Sequence, residues 1–495
     1  MREPAVGIDL GTTFSVVAFV DQDGKPRTIS NSDGDLTTPS VVLVDGESVI
    51  VGKEAHKAAV VEPDLVASFA KRDMGNEFYR RSVGGNQYPP EVLLSFILEK
   101  LKRDAERVVG PFGKAVVTVP AFFNDTRRKR TLEAAALAGI EVLELINEPT
   151  AAALVQGIQS GFLDASGSTD RQEMVLVYDL GGGTFDVTIM RITADRFQTI
   201  TSDGEMFLGG GDWDERIADW IADQFREQNR GCELLEDARG RNRAFKEAED
   251  AKRTLSTMKK ARIMIDHGGN SLNSVLERHV FEEMTSDLLD RTLRAMERAK
   301  KAAVEKTENP AGSRADWTDV ITRIILVGGS TRMPAVSEMI RRETGIEPDC
   351  SLSADEAVAH GAAVYAGLLL NGSKTRYVEN VSTHSIGVVA KDSEGVRRNQ
   401  IVIPRNSTLP AEFKREFRMP ESGKVLLTIL EGESANPGHC TVLHKQPVIP
   451  QQALPHRSRV RVTLSLTVDG CVRGDVHFLK TGERIPLLQK KTKRR

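Results

Sequence analysis

Two aspartates each end an apolar run and are followed at once by glycine and hydroxylated residues, the composition of a phosphate site. The longer stretch, residues 175–190, reads VLVYDLGGGTFDVTIM: the run reaches Asp179, turns on Gly181, Gly182 and Gly183, passes Thr184 and leaves in alternation. Glycines let backbone N–H groups converge on an anion at positive φ with no Cβ in the way, and a threonine adds a hydroxyl donor. Standing alone, the stretch reads equally well as a glycine hairpin with a turn-forming aspartate. It does not stand alone. Residues 6–17, VGIDLGTTFSVV, repeat the order of strand, Asp9, leucine, Gly11, small hydroxylated residues (Thr12, Thr13), Phe14 and alternation. The matched pair suggests two related lobes facing across a cleft, a clamp on a nucleotide.

The elements that must hold these residues follow from period and punctuation. Phe185, Val187 and Ile189 fall on one face of a strand, with Asp186 and Thr188 on the other. Strands are expected over 6–20 and 39–51, a helix over 89–109, a buried strand over 115–119, and a helix capped at Asn124 or Asp125. Lys71, in SFAKRDMG, reads locally as a solvated charge before a turn. Glu148 follows a short strand, and Pro149 admits the chain into an alanine-rich helix suited to close packing, whether as a hinge or as a plain helix contact. Gly209 and Gly210 sit in a glycine turn leading to a helix with Asp212 as its N-cap. In the helix over 239–258, Glu249, Lys252, Arg253 and Ser256 share one side, either a solvated face or a platform for a base or ribose. A strand over 321–327 breaks at Gly328, Gly329 and Ser330 before another helix, in outline an anion or ribose site. Residues 312–316 read as a loop, and a small-residue helix is expected over 355–370. From 381 the period drops to two, with strands expected over 385–390, 400–403, 425–431 and 460–468, an independent all-β module.

The 495 residues include 67 basic and 70 acidic side chains, so a net charge of −3 offers no electrostatic footprint for nucleic acid or membrane. The basic end, 490–495, reads as a solvated tail. Four cysteines lack CxxC spacing and nearby histidines, which argues against zinc or a disulfide scaffold and for free thiols. With no signal-peptide-like stretch and no run approaching 18 apolar residues, the expectation is a cytoplasmic protein.

Seven motifs, IDLGTTFSVV, VTVPAFFNDTRRKRTLEAAALAG, INEPTAAAL, YDLGGGTFDV, EDAKRTLS, VGGSTRMP and ADEAVAHGAA, occur in an order and spacing that resembles the ATPase domain of the DnaK or seventy-kilodalton heat-shock chaperone family. The resemblance implies an α/β fold, an actin-like two-lobed ATPase domain closing on MgATP over 1–372, followed by a linker over 373–380, an all-β peptide-binding sandwich over 381–488 and the tail over 489–495. By matching position it makes Asp9 and Asp179 water-mediated ligands of Mg2+. Thr12, Thr13, Gly181, Gly182, Gly183 and Thr184 become phosphate cradles, beside Gly11, Phe14, Gly209 and Gly210. Lys71 and Glu148 position the attacking water, with Asp186 in the same network. Glu249, Lys252, Arg253, Ser256, Gly329, Ser330, Arg332 and Asp355 enclose the adenosine, the two arginines flanking the base.

In the β-module the likeness is weaker. Phe417 and Val425 align with positions lining the family's peptide cleft, while Val396, Arg397 and Arg398 stand in place of a mostly uncharged cleft loop. The resemblance implies unfolded polypeptides, a J-domain cochaperone and a nucleotide exchange factor as partners, and a member without the family's helical lid. Two departures bear on regulation: the linker keeps only Tyr377 and Val378 as apolar residues, and Glu144 stands where the family presents an arginine to J-domains, while Pro120 and Arg128 are retained. An ATP-driven polypeptide-binding chaperone is favoured over a nucleotide-binding scaffold with little hydrolysis and over a small-molecule kinase of the same superfold.

Overall fold

In the computed structural model, which describes residues 4–161, 172–193, 196–307, 315–371, 377–392, 394–419, 425–452, 454–455 and 457–487, the two aspartate stretches each become the centre of a sheet. Val6–Asp9 pairs antiparallel with Phe14–Val20 on one side and parallel with Lys114–Val119 on the other, and Glu141–Asn147 continues the parallel side. Glu173–Leu180 pairs antiparallel with Phe185–Ile192 and parallel with Arg323–Val327. The two sheets thus repeat one plan. Asp9 is the last residue of its strand and Asp179 the second-to-last of its own, each strand with an antiparallel partner returning from the glycine turn.

Alternation in Phe185–Ile192 does not leave a wet face. Asp186 and Thr188 are as buried as Phe185 and Val187, because the strand lies inside a sheet with helices Ser286–Lys306 and Glu148–Gln159 packed against it. The alanine-rich helices explain their composition by contact. A Cβ on Gly361 would lie 1.9 Å from the carbonyl oxygen of Ala151, and one on Gly7 would lie 2.1 Å from the backbone nitrogen of Ala363. Helix Ala357–Leu370 therefore packs backbone to backbone on Glu148–Gln159 and on the first sheet. It begins two residues later than expected, leaving Asp355 in the preceding turn.

The chain divides into two compact units: Met1–Phe122, Arg130–Phe197 and Ser202–Tyr377 form the first, and Phe123–Lys129, Gln198–Thr201 and Val378–Arg495 the second. Among its described residues the second has two four-stranded antiparallel sheets where four strands were expected. Arg397–Ile403, Ile386–Lys391, Val425–Glu431 and Thr441–Val448 make one sheet, and Ala411–Arg418, Arg459–Leu466, Val472–Phe478 and Arg484–Leu487 the other. Both sheets supply one core, in which Val388, Ile429, Leu464 and Phe478 are buried, so the module is a β-sandwich. Arg397 and Arg398 do not form a loop but open an edge strand, Arg398 paired with Asp392 at 2.7 Å. Of the expected linker, 373–376 lie outside the described residues, as do most of the 312–316 loop and the 488–495 end. Tyr377–Glu379 is a short strand.

No described helix is long and apolar enough to cross a membrane. The four cysteines are unpaired.

Candidate functional site

The first hairpin turn is built so that only glycine fits at Gly11, where a Cβ would lie 1.9 Å from the Phe14 carbonyl oxygen. Gly11 donates its N–H to Ser15 Oγ at 3.1 Å, and its carbonyl accepts from Ser40 Oγ at 2.9 Å. In the second turn none of Gly181, Gly182 and Gly183 adopts positive φ. Their glycine character serves close approach instead: a Cβ on Gly182 would lie 2.3 Å from Thr13 Oγ1, and one on Gly183 would lie 2.3 Å from Thr12 Cγ2. The two turns thus meet face to face.

Three successive carbonyls of the second turn are tied down. Gly181 O accepts from Gly210 N at 2.9 Å and Ser330 Oγ at 3.0 Å, Gly182 O from Gly211 N at 2.9 Å, and Gly183 O from Arg72 Nε at 2.9 Å. In a planar trans peptide the next N–H points opposite to the carbonyl. Tying the carbonyls therefore fixes the directions of the N–H groups of Gly182, Gly183 and Thr184, the prerequisite of an anion cradle. Gly182→Ala should push the two turns apart, costing about 1 to 3 kcal/mol of packing and lowering nucleotide affinity about tenfold or more; calorimetric titration with ATP checks it, and unchanged affinity would count against the cradle.

Lys71 lies in a tight turn, Ala70–Asp73, where it is buried and ion-paired to Glu148 Oε1 at 2.8 Å rather than solvated. Asp9 Oδ1 accepts from Thr118 Oγ1 at 2.8 Å. Burial, then the charge of Glu148, pushes Asp9 up to about 7, against the pull of Lys71. Burial likewise holds Asp179 well above the usual carboxylate range, with Glu148, Asp186 and Asp9 adding to it. Asp186 Oδ1 accepts the Phe122 N–H at 2.9 Å, holding the second hairpin to the segment after Lys114–Val119.

Asp9 and Asp179 thus lie in a field where the negative charges of Glu148 and Asp186 stand against the ammonium of Lys71, a field that suits a divalent cation. Among the described residues no three His, Cys, Asp or Glu side chains gather closely enough to hold a bare ion. That fits an ion held by two carboxylates through its own waters, the way magnesium keeps part of its hydration.

On the other side, Lys252 Nζ donates to Gly210 O at 2.8 Å and to Asp214 Oδ2 at 2.7 Å. Burial raises Asp214 to about 6 despite that lysine. Lys252 is thus committed to Asp214 and to the glycine turn. Ser256 Oγ bonds the Lys252 carbonyl at 3.1 Å, Arg253 pairs with Glu249 at 2.6 Å, and the Arg253 guanidinium sits 5.2 Å from the Phe14 ring centre. Arg332 pairs with Asp355 at 2.7 Å, and a Cβ on Gly329 would lie 3.2 Å from Asp355 Oδ1. Asp212 is not the N-cap of Gly210–Gln228, a place Gly209 takes; it is the third helical residue, and its Oδ2 reaches back to Gly209 N at 2.7 Å.

The structure brings the phosphate, metal and adenosine candidates together within the first unit. Phe417, half-buried against the sandwich core, and Val425, first residue of its strand, belong to the second. Pattern reading missed Thr118, Asp214 and Arg72: none has a local signal, and each matters through partners distant in sequence. Glu144 is half-buried and accepts from the Tyr365 hydroxyl at 3.0 Å. Pro120 follows Lys114–Val119, and Arg128 is buried with its Nε donating to Phe123 O at 2.9 Å.

A family model described as Hsp70 protein matches residues 5–84 and 79–484. Similar proteins include the chaperone protein DnaK of Thermosipho melanesiensis, 36% identical across 97% of this chain and 79% of that protein. That of Thermosipho africanus is 37% identical over the same shares. The DnaK of Halobacterium salinarum is 36% identical across 95% of this chain and 72% of its own length.

Proposed function

We infer the function from a premise the comparisons supply: the chain belongs to the Hsp70 family. It is an ATP-dependent molecular chaperone, an ATPase of the actin-like fold followed by a β-sandwich. The observation that carries the reading is the facing pair of hairpin turns, with Asp9 and Asp179 at their roots and the Lys71–Glu148 pair sharing their field.

Asp9 and Asp179 would hold Mg2+ through water, and the ion supplies charge neutralisation at the phosphates when bound. Thr12, Thr13 and the N–H groups of Gly182, Gly183 and Thr184 receive the phosphate oxygens. Gly11, Phe14, Gly209 and Gly210 close around them. Glu148 holds the Lys71 ammonium in place at 2.8 Å, and that ammonium faces the γ-phosphate and the attacking water. As the water oxygen bonds to phosphorus and the bond to the ADP oxygen breaks, the water's proton leaves with the released phosphate, negative charge is spread over the phosphoryl and leaving oxygens, and Lys71 offsets it. Asp186 keeps the hairpin in register by holding the Phe122 N–H. The adenosine lies among Glu249, Lys252, Arg253, Ser256, Gly329, Ser330, Arg332 and Asp355, with Arg253 and Arg332 flanking the base.

The sandwich takes unfolded polypeptide segments, with Phe417 and Val425 contributing to its cleft. The ATPase domain spans 1–372 and the sandwich 381–488, with 373–380 as the linker between them. A reducing cytoplasm suits four unpaired thiols. A nucleotide exchange factor and a J-domain cochaperone are partners. Glu144 tempers the second: a negative charge on the face that meets the J-domain should weaken docking. Glu144→Arg should raise J-domain stimulation several-fold; equal stimulation of both proteins would remove Glu144 from the account. The function itself is tested by phosphate release from ATP. Slow release that needs Mg2+ is the result expected, and none under any metal condition overturns the reading.

A further inference from the structure

We propose that Arg72 is a positioning residue that latches the Lys71 turn onto the second glycine turn, and that its partner Asp212 sets how fast nucleotide leaves; the inference rests on the ATPase reading above. Three contacts fix the guanidinium. Its Nε donates to Gly183 O at 2.9 Å, its Nη2 to Asp212 Oδ2 at 2.6 Å, and it lies 5.7 Å from the Phe69 ring centre. Arg72 keeps only 12% of its side chain exposed and Asp212 19%, so the pair is largely shielded from water. The same Asp212 oxygen accepts from Gly209 N, so one carboxylate serves the latch and the start of helix Gly210–Gln228 together.

The backbone is shaped for the contact. Phe69 has φ 58 and ψ 24, a left-handed conformation that a bulky aromatic residue adopts only under constraint. It starts the turn that carries Lys71 and Arg72. Room for its ring is left by Gly211, where a Cβ would come within 3.1 Å of Phe69 Cε1 and 3.3 Å of Gly182 O. Local strain held by surrounding contacts marks a place where geometry matters to function.

The consequence is mechanical. Arg72 binds the Gly183 carbonyl and so fixes the direction of the Thr184 N–H, while its chain neighbour Lys71 reaches Glu148. The cradle donor and the ammonium that act on one phosphoryl group are set by adjacent residues of one turn. A planar two-pronged cation suits this because its donors diverge toward two acceptors; a lysine ammonium offers a single centre.

The test is ATP turnover and ADP dissociation measured on the whole chain. Arg72→Ala should lower kcat about tenfold, with a smaller change in KM, and speed ADP release about tenfold at unchanged helical content. Asp212→Asn keeps an acceptor for Gly209 N but removes the charge facing Arg72, and should move both constants the same way. The double variant should be no worse than Arg72→Ala alone, within about twofold. Constants within twofold of wild type for Arg72→Ala, or effects that multiply in the double variant, overturn the latch. If Arg72→Ala does not fold, Arg72→Lys reads the same rates, and wild-type ADP release there would overturn it equally. Should the wild type fail to hydrolyse ATP, the ATPase reading falls, while ADP release still decides the latch.

Discussion

Lys71→Ala is expected to bind MgATP within a few-fold of wild type and to hydrolyse it about a hundredfold or more slowly. In the proposed site, binding is spread over the cradle, Asp9 and Asp179 and the residues proposed for the adenosine, so one lost ammonium should remove little of it. The transition state depends on that charge far more, because it acts in a shielded site and is already oriented by Glu148 at 2.8 Å. The substitution also leaves Glu148 buried without its cation. Removing one partner of a buried pair typically costs about 3 to 5 kcal/mol. Single-turnover phosphate release at saturating ATP separates these effects. Turnover within about threefold of wild type would show that Lys71 is only a structural counter-ion.

Asp9→Asn should stabilise the nucleotide-free chain and abolish its magnesium-dependent turnover. In the folded chain Asp9 holds its proton up to about 7, against 3.8 for an ordinary aspartate. The folded state therefore binds more protons than the unfolded one between those values, and stability falls as pH rises through that window. Asparagine keeps the oxygen that Thr118 donates to and removes the charge. At about pH 8 the gain should be roughly 1 to 2 kcal/mol, discounted because Asp9 keeps part of its surface open to the cleft, and it should vanish as pH approaches 4. Thermal unfolding with and without Mg2+ and ATP reads both sides. Wild type should gain from the metal nucleotide and the variant should not. A less stable variant would mean that the carboxylate cluster is already neutralised by groups other than a metal.

The nucleotide half of the molecule is largely legible in the sequence because its signals are local and doubled. Each hairpin packs strand, carboxylate and glycine into about a dozen residues, and the two sheets repeat that plan. What the glycines do is less legible: closeness to Thr12 and Thr13, not positive φ, is a property of two segments together. Lys71 reads as a surface charge until a turn started by Phe69 carries it to Glu148, 77 residues further on. Asp212 is legible as a helix-start residue but not as the third residue of the helix, since both places favour aspartate.

The sandwich escapes period reading where its strands are edges. Ala411–Arg418 carries five charged residues and is exposed on both faces, so alternation leaves no trace, and charges on an edge also discourage unwanted pairing. Thr441–Val448 is an edge as well. Tyr377–Glu379 forms a short strand, which a count of apolar residues in the linker does not register. Of the strand Arg397–Ile403, the expected span 400–403 is present, and only the start that carries two arginines escapes the pattern.

If MgATP hydrolysis by the actin-like domain serves the binding of unfolded polypeptide, the two must be coupled in one chain. Steady-state phosphate release from MgATP by the whole chain, measured with and without a reduced, carboxymethylated polypeptide, tests it most directly. The account predicts slow hydrolysis that requires Mg2+ and rises several-fold when the unfolded polypeptide is added. Magnesium-dependent hydrolysis that is the same with and without polypeptide would contradict it.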